Sequence, residues 1–168
     1  WRPARAAPPV TGSAVNDQLP RPTPSQQWRW IGLSAIPSSL MLSVTTYTST
    51  DVAAVPLLWV MPLAIYLGSF VLAFARRPLV THRAMIVLLP VAILPPVIAL
   101  LANATGPAWL FIPLNLLALF TAAMVCHGEL ARRRPNARYL TQFYLWVAVG
   151  GTLGGLFNLL LAPALFHG

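Results

Sequence analysis

Long apolar stretches, separated by short arginine clusters, make up the sequence beyond Trp30. The 168 residues are 57% hydrophobic and 8% charged, whereas a soluble domain has about 25% charged residues. An apolar run of about 20 residues can cross the hydrocarbon core of a bilayer as a helix. Because lipid offers no hydrogen-bond partner to unpaired backbone groups, such spanning segments are helical. We therefore expect an all-α membrane protein with the lipid bilayer as a partner.

Five stretches match this pattern and define a predicted transmembrane domain over residues 30–168. They cover residues 31–48, 52–75, 84–102, 108–127 and 139–166. The first is the least apolar, since it carries many serines and threonines. The last is long enough to tilt in the membrane or to end along its surface.

The arginine positions predict the topology. All 11 basic residues are arginines, and they lie before the first span, between the second and third, and between the fourth and fifth. With about five transmembrane helices these regions share one side, which the positive-inside rule assigns to the cytoplasm. The prediction is N-in/C-out. Trp28 and Trp30 fit the inner interface, where amphipathic rings concentrate.

Residues 1–29 contain six prolines and no apolar periodicity. Such a segment cannot bury enough apolar surface to offset the entropy of ordering. We expect a flexible, disordered Pro/Arg-rich cytoplasmic arm or linker, with a proline-rich segment that binds a partner as the alternative. Because the sequence starts at Trp1 rather than Met, we expect the chain to be part of a longer one.

The composition also bears on other classes of protein. A pI near 11.4 is typical of nucleic-acid-binding domains. Those domains carry a basic face on a folded surface, whereas here the arginines lie in short clusters between apolar runs, so no nucleic-acid partner is expected. The single Cys126 excludes an internal disulfide and argues against a cysteine-based zinc site.

The segment Cys126-His127-Gly-Glu129 places three potential ligands within four positions. A zinc site needs three or four converging ligands, and few other histidines are present. On a helix, Glu129 instead faces Arg132 and Arg133 at i+3 and i+4, in the favourable carboxylate-first order. We interpret the segment as the end of a helix leaving the membrane, with a functional His127/Glu129 pair as the alternative. No metal or cofactor is predicted.

Asp51 is an acid next to the outer face. Its position predicts an N-cap for the second span, where a carboxylate accepts helix N–H bonds. The alternative is a cation or proton site, because charged groups at membrane depth are costly and often functional. That alternative involves the preceding hydroxyl residues Ser43, Thr45, Thr46, Thr48 and Thr50.

The stretch VGGTLGGLFN holds two overlapping small-xxx-small pairs, Gly150/Gly154 and Gly151/Gly155, with Asn158 one turn on. Small residues let helix backbones approach closely in lipid. The stretch lacks the strand and the acid that frame a dinucleotide-binding loop. It therefore predicts tight helix packing rather than chemistry.

Two blocks, residues 37–78 and 126–166, resemble bacterial fused MFS/spermidine-synthase-like membrane proteins. That family joins a multi-span membrane half to a cytoplasmic domain similar to spermidine synthase, an aminopropyltransferase. With three acidic residues and no Gly-rich nucleotide loop, this chain cannot supply the catalytic half. The resemblance implies a membrane segment in a bacterial inner membrane, whose partners are the remainder of its own chain or other membrane subunits.

Three functions follow from these patterns, none of them catalytic. The first is a transmembrane anchor or scaffold of a spermidine-synthase-like protein. The second is an accessory subunit of a respiratory or photosynthetic membrane complex. The third is a segment of a polyamine or cation transporter, with Asp51 and the first span as its pathway.

Overall fold

The computed structural model describes residues 21–51, 57–75, 81–102 and 107–161. These residues contain no β-strand and form five α-helices. The helices are α1 (Pro24–Asp51), α2 (Val60–Phe74), α3 (His82–Leu101), α4 (Ala108–Arg132) and α5 (Leu140–Leu156). The all-α prediction is confirmed.

Within the described ranges, three helical stretches are long and apolar enough to cross a membrane: His82–Leu101, Trp109–Arg132 and Ala137–Leu160. Most of their side chains face outward, and in α3 the buried ones are Met85 and Ala92. Such extensive apolar surface is compatible with hydrocarbon but not with water. The chain is therefore a membrane protein.

The other two helices fall short of this criterion for different reasons. Helix α2 is apolar but only 15 residues long over its described part. Helix α1 has 28 residues, yet its serines, threonines and glutamines lower its hydropathy. The described residues thus form the five helices that were predicted, and three of these are long and apolar enough to span a membrane.

Helix α1 begins inside the segment expected to be a flexible arm. The Thr23 backbone N–H donates to Gln26 Oε1 at 3.1 Å, and Gln26 and Gln27 N–H donate to the Thr23 carbonyl. The bond from the Thr23 N–H to the Gln26 side chain is one half of a capping box, and Pro24 supplies a favourable first helical residue. The predicted boundary at residue 29 is thus wrong for residues 24–29, which are helical. Residues 1–20 of the arm lie outside the described residues.

The helices pack as a row in the order α3, α4, α1 and α5, with α2 against both α4 and α1. The most extensive partner of α1 is α5, far along the chain, rather than its neighbour α2. Among the described residues, α3 packs on α4 alone. The centre of the row, α4 and α1, therefore holds the bundle together.

A small aromatic and aliphatic core closes the bundle at its arginine-bearing end. Trp30 of α1, Leu130 of α4 and Phe143 of α5 are buried there, with Phe74 of α2 packed against them. The Trp30 and Phe143 rings meet edge-to-face, with centroids 5.1 Å apart. Trp28 is 70% exposed, whereas Trp30 is only 2% exposed and packs inside the bundle.

The α1–α5 contact depends on two glycines. A Cβ at Gly150 would lie 2.8 Å from the Ile31 Cα, and one at Gly154 would lie 2.9 Å from the Ala35 carbonyl carbon. Real Cβ atoms do not approach backbone atoms so closely, so each position excludes any side chain. A Cβ at Gly151 would meet no atom within 4 Å. At Gly155 it would make only an ordinary 3.5 Å contact with a leucine methyl.

Interhelical hydrogen bonds continue this contact. Ser38 Oγ donates to the Gly151 carbonyl at 2.9 Å, and Asn158 Nδ2 donates to the Ser39 carbonyl at 3.0 Å. Asn158 lies in a π-helical segment, Phe157–Leu161, that follows α5. In lipid each such bond satisfies polar groups that would otherwise lack a partner. We call this contact the α1–α5 seam.

Candidate functional site

His127 lies on α4, where three residues of α2 contact its imidazole. It is 1% exposed, and its Nδ1 lies 3.0 Å from Ser69 Oγ. The rings of Tyr66 and Phe70 approach it edge-on, with centroid distances of 5.2 and 5.0 Å. The imidazole thus joins α4 to α2 through one hydrogen bond and two aromatic contacts.

The hydrogen-bond network assigns the protons in this pair. Ser69 Oγ also lies 2.7 Å from the Tyr66 carbonyl, which can only accept. The single hydroxyl proton therefore goes to that carbonyl, and His127 Nδ1–H donates to Ser69 Oγ. Nε2 is left as a buried nitrogen with no hydrogen-bond partner in the described part of the chain.

Glu129, two residues nearer the end of α4, belongs to a different group of side chains. Its Oε1 accepts from Arg133 Nε at 2.6 Å, as expected from the i+4 spacing. Its Oε2 lies 3.6 Å from His82 Nε2, at the start of α3. A Cβ at Gly128 would lie 2.7 Å from His82 Nδ1, so the glycine lets α3 approach α4 here.

Cys126, His127 and Glu129 consequently do not converge. His127 points to α2, Glu129 points to α3 and to its own helix end, and Cys126 is buried as a free thiol. Within the described ranges, no three His, Cys, Asp or Glu side chains are arranged to hold a metal ion. The segment is a helix end with two separate polar contacts.

A polar concavity lies just beyond that helix end. An arginine cleft of about 330 Å³ opens between the start of α1, the end of α4 and the turn before α5. Four arginines line the cleft: Arg29, Arg132, Arg133 and Arg134. Gln26, Trp30, Asn136 and Tyr139 also line it. Among the described residues that line the cleft, none is acidic. The site suits an anion.

Helix geometry adds to that charge. The amino ends of α1 and of the Ala137–Tyr139 turn leading into α5 both border the cleft. The aligned peptide dipoles of a helix give its amino end a partial positive charge. The helix dipoles therefore add to the positive charge of the arginines, although the arginines alone define the site.

Asp51 closes α1 instead of capping the next helix. It is the last residue of α1, and α2 begins at Val60 with Trp59 before it. The expected N-cap position is therefore wrong, and the Asp51 side chain lies outside the described residues. Two hydroxyls of the suggested pathway, those of Thr45 and Thr48, donate to carbonyls four residues earlier in their own helix, both at 2.7 Å.

Sequence reasoning missed Ser69 and His82, the partners of His127 and Glu129. A lone serine in an apolar helix gives no signal, since its partner lies 58 residues away. The arginine clusters did give a signal: their distribution predicted that Arg29 and residues 132–134 share one end of the bundle. The structure brings these residues together around the cleft.

Comparisons with known proteins do not assign this chain to a family. No protein-family description, curated protein or solved structure shows significant similarity to this chain.

Proposed function

We propose that this chain is a non-catalytic transmembrane module that anchors or positions a partner domain or subunit. The observation that carries the proposal is the use of polar side chains to hydrogen-bond one helix to another. Ser38 and Asn158 join α1 to α5, and Ser69 joins α2 to α4 through His127. Polar groups that form such bonds hold the helices in fixed positions relative to one another, which a scaffold requires.

The proposed orientation places the arginine cleft at the cytoplasmic face of a bacterial inner membrane, with the amino terminus inside. Support comes from the gathering of Arg29 and Arg132 at one end of the bundle. The start of α3, with Arg83, reaches the same end through the contact between His82 and Glu129. Arginines held together on one face fit the positive-inside rule.

The proposed partner is the remainder of a spermidine-synthase-like chain or another membrane subunit. A polyamine pathway through this module is less consistent with the structure, since the arginine cleft would repel a polycationic amine at its entrance. Proton or cation transfer remains a second candidate, favoured by the unpartnered Nε2 of His127 inside a spanning helix. Loss of proton flux through proteoliposomes in His127→Gln, with the helical content unchanged, would support it.

Co-purification in mild detergent tests the scaffold function. We expect peptides of an acidic α/β domain continuous with this sequence, or a second protein at fixed stoichiometry. An intact mass of 18.2 kDa, with no stoichiometric partner, would contradict the proposal.

Cysteine labelling tests the orientation separately. In a Cys126→Ala background, Thr23→Cys lies at the arginine end, and Pro107→Cys lies at the start of α4, at the other end of that helix. We expect a membrane-impermeant maleimide added to intact spheroplasts to label Pro107→Cys and to spare Thr23→Cys until the membrane is opened. The reverse pattern would overturn the N-in assignment.

A further inference from the structure

We propose that the arginine cleft is a binding site for the phosphate group of an anionic phospholipid. The inference goes beyond the scaffold function and does not require a partner domain. It rests on the charge of the cleft, the hydrogen-bonding capacity of its guanidinium groups, and its depth relative to the membrane.

The guanidinium groups are largely uncommitted. Arg29, Arg132 and Arg134 have no ion-pair partner among the described residues. Arg133 uses Nε for Glu129 and keeps its two terminal nitrogens for a further acceptor. Guanidinium groups bind phosphate oxygens in bidentate fashion, with charge assistance. A cluster of this kind therefore favours a phosphate over a halide or a single carboxylate.

The cleft lies at the depth of lipid headgroups. Arg132 ends one membrane-spanning stretch and Ala137 begins the next, and the cleft residues lie at or just beyond these two ends. Tyr139 lines the cleft, and Trp28, on the first turns of α1, is 70% exposed. Aromatic residues of this kind mark the interface between hydrocarbon and water. A headgroup phosphate is thus already concentrated at this depth, whereas a free phosphate must arrive from solution.

The size and position of the cleft fit one headgroup. Ligand sites have volumes of about 300–1,000 Å³, and the cleft, at about 330 Å³, is at the lower end of that range. Basic pockets between membrane helices on the cytoplasmic side suit anionic headgroups, each arginine adding electrostatic attraction. The ligand class is therefore a glycerophospholipid with net negative charge.

Lipid titration of the purified protein tests the proposal. Short-chain phosphatidylglycerol, short-chain phosphatidylcholine and inorganic phosphate are titrated separately in a neutral detergent, with binding followed by native mass spectrometry and calorimetry. We expect saturable binding of phosphatidylglycerol, and weaker binding of both phosphatidylcholine and inorganic phosphate. Arg132→Gln and Arg134→Gln should each weaken phosphatidylglycerol binding about fivefold. These side chains are exposed, so neither variant should disturb folding.

Arg83→Gln is the matched control, because it removes the same charge at the start of α3, outside the cleft. The proposal requires this variant to bind phosphatidylglycerol like the parent protein. Equal losses in Arg83→Gln and Arg134→Gln would show a nonspecific charge effect and overturn it. Equal affinity for phosphatidylcholine would also overturn it, and inorganic phosphate binding as tightly as the lipid would assign the cleft to a soluble anion. Should one variant fold poorly by circular dichroism, Arg29→Gln replaces it.

Discussion

Ser69 of α2 and His127 of α4 form a buried side-chain hydrogen bond of 3.0 Å between two helices of the bundle. The bond orients an imidazole that is enclosed by Tyr66 and Phe70. It is the polar part of the contact that holds α2 against α4.

Removing the hydroxyl tests this contact. We expect Ser69→Ala to lower the free energy of unfolding by about 1 kcal/mol, because His127 Nδ1 loses its partner. Hydrogen bonds between membrane helices contribute about 0.6 kcal/mol on average and up to about 1.7 kcal/mol. The measurement is a denaturant titration of the detergent-solubilised protein. Thr152→Ala is the control, since this exposed hydroxyl bonds only to a carbonyl of its own helix. A loss of equal size in both variants would show that the bond to His127 adds nothing.

Alanine substitutions along the α1–α5 seam should raise the stability of the fold at some glycines and lower it at others. Gly150→Ala and Gly154→Ala place a methyl group against the α1 backbone, which cannot move aside as a side chain can. Overpacking of this kind costs about 1–3 kcal/mol. Gly151→Ala meets no atom within 4 Å, so it should gain up to about 1 kcal/mol in helix propensity. Unfolding midpoints measure all three, and a Gly150→Ala protein as stable as Gly151→Ala would contradict the seam.

The close approach of α3 to α4 predicts a coupled pair. Gly128→Ala should lower stability by about 1 kcal/mol, because its methyl group would displace the His82 ring. His82→Ala removes the obstacle, so adding Gly128→Ala to that variant should cost little. A double-mutant cycle on unfolding free energies measures the coupling. Additive effects would mean that the ring does not rest on Gly128.

The Glu129–Arg133 ion pair should affect lipid binding at the arginine cleft more than it affects the stability of the fold. Both side chains are partly exposed, at 26% and 40%, and such pairs contribute about 0–1 kcal/mol. We expect Glu129→Gln to change the unfolding midpoint less than Ser69→Ala does. The same substitution frees Arg133, so phosphatidylglycerol should bind more tightly, by about twofold to fivefold. Weaker lipid binding in Glu129→Gln would show that the pair positions Arg133 for the headgroup.

The helices of this protein could be predicted because their signal is local. Runs of apolar residues locate α3, α4 and α5, and the positions of the arginines place Arg29 and Arg132 at one end of the bundle. The start of α1 was missed because its proline-rich context suggested disorder, although Thr23 and Gln26 already carry a capping pattern.

The pairings between helices could not be predicted in the same way. Four glycines offered two possible faces, and only the distances to α1 distinguish Gly150 and Gly154 from the other two. Nothing in the sequence showed that the Trp30 ring packs against Phe143 of α5. Ser69 became significant only through a histidine far along the chain. Each of these outcomes depends on which helices meet, and that information is not local.

The position of α3 at the edge of the row has a consequence for how freely the sequence can vary. Because α3 rests on α4 alone among the described residues, and buries Met85 and Ala92 but few other side chains, most of its positions need only be apolar. At Gly150 and Gly154, in contrast, the α1 backbone leaves no room for a Cβ. In homologous chains, the residues of α3 should therefore vary almost freely among aliphatic types, while the residues of α1 and α5 that meet at the seam should change together. Co-varying positions should then lie along the seam and not in α3, although α3 is the helix most clearly typical of a membrane span.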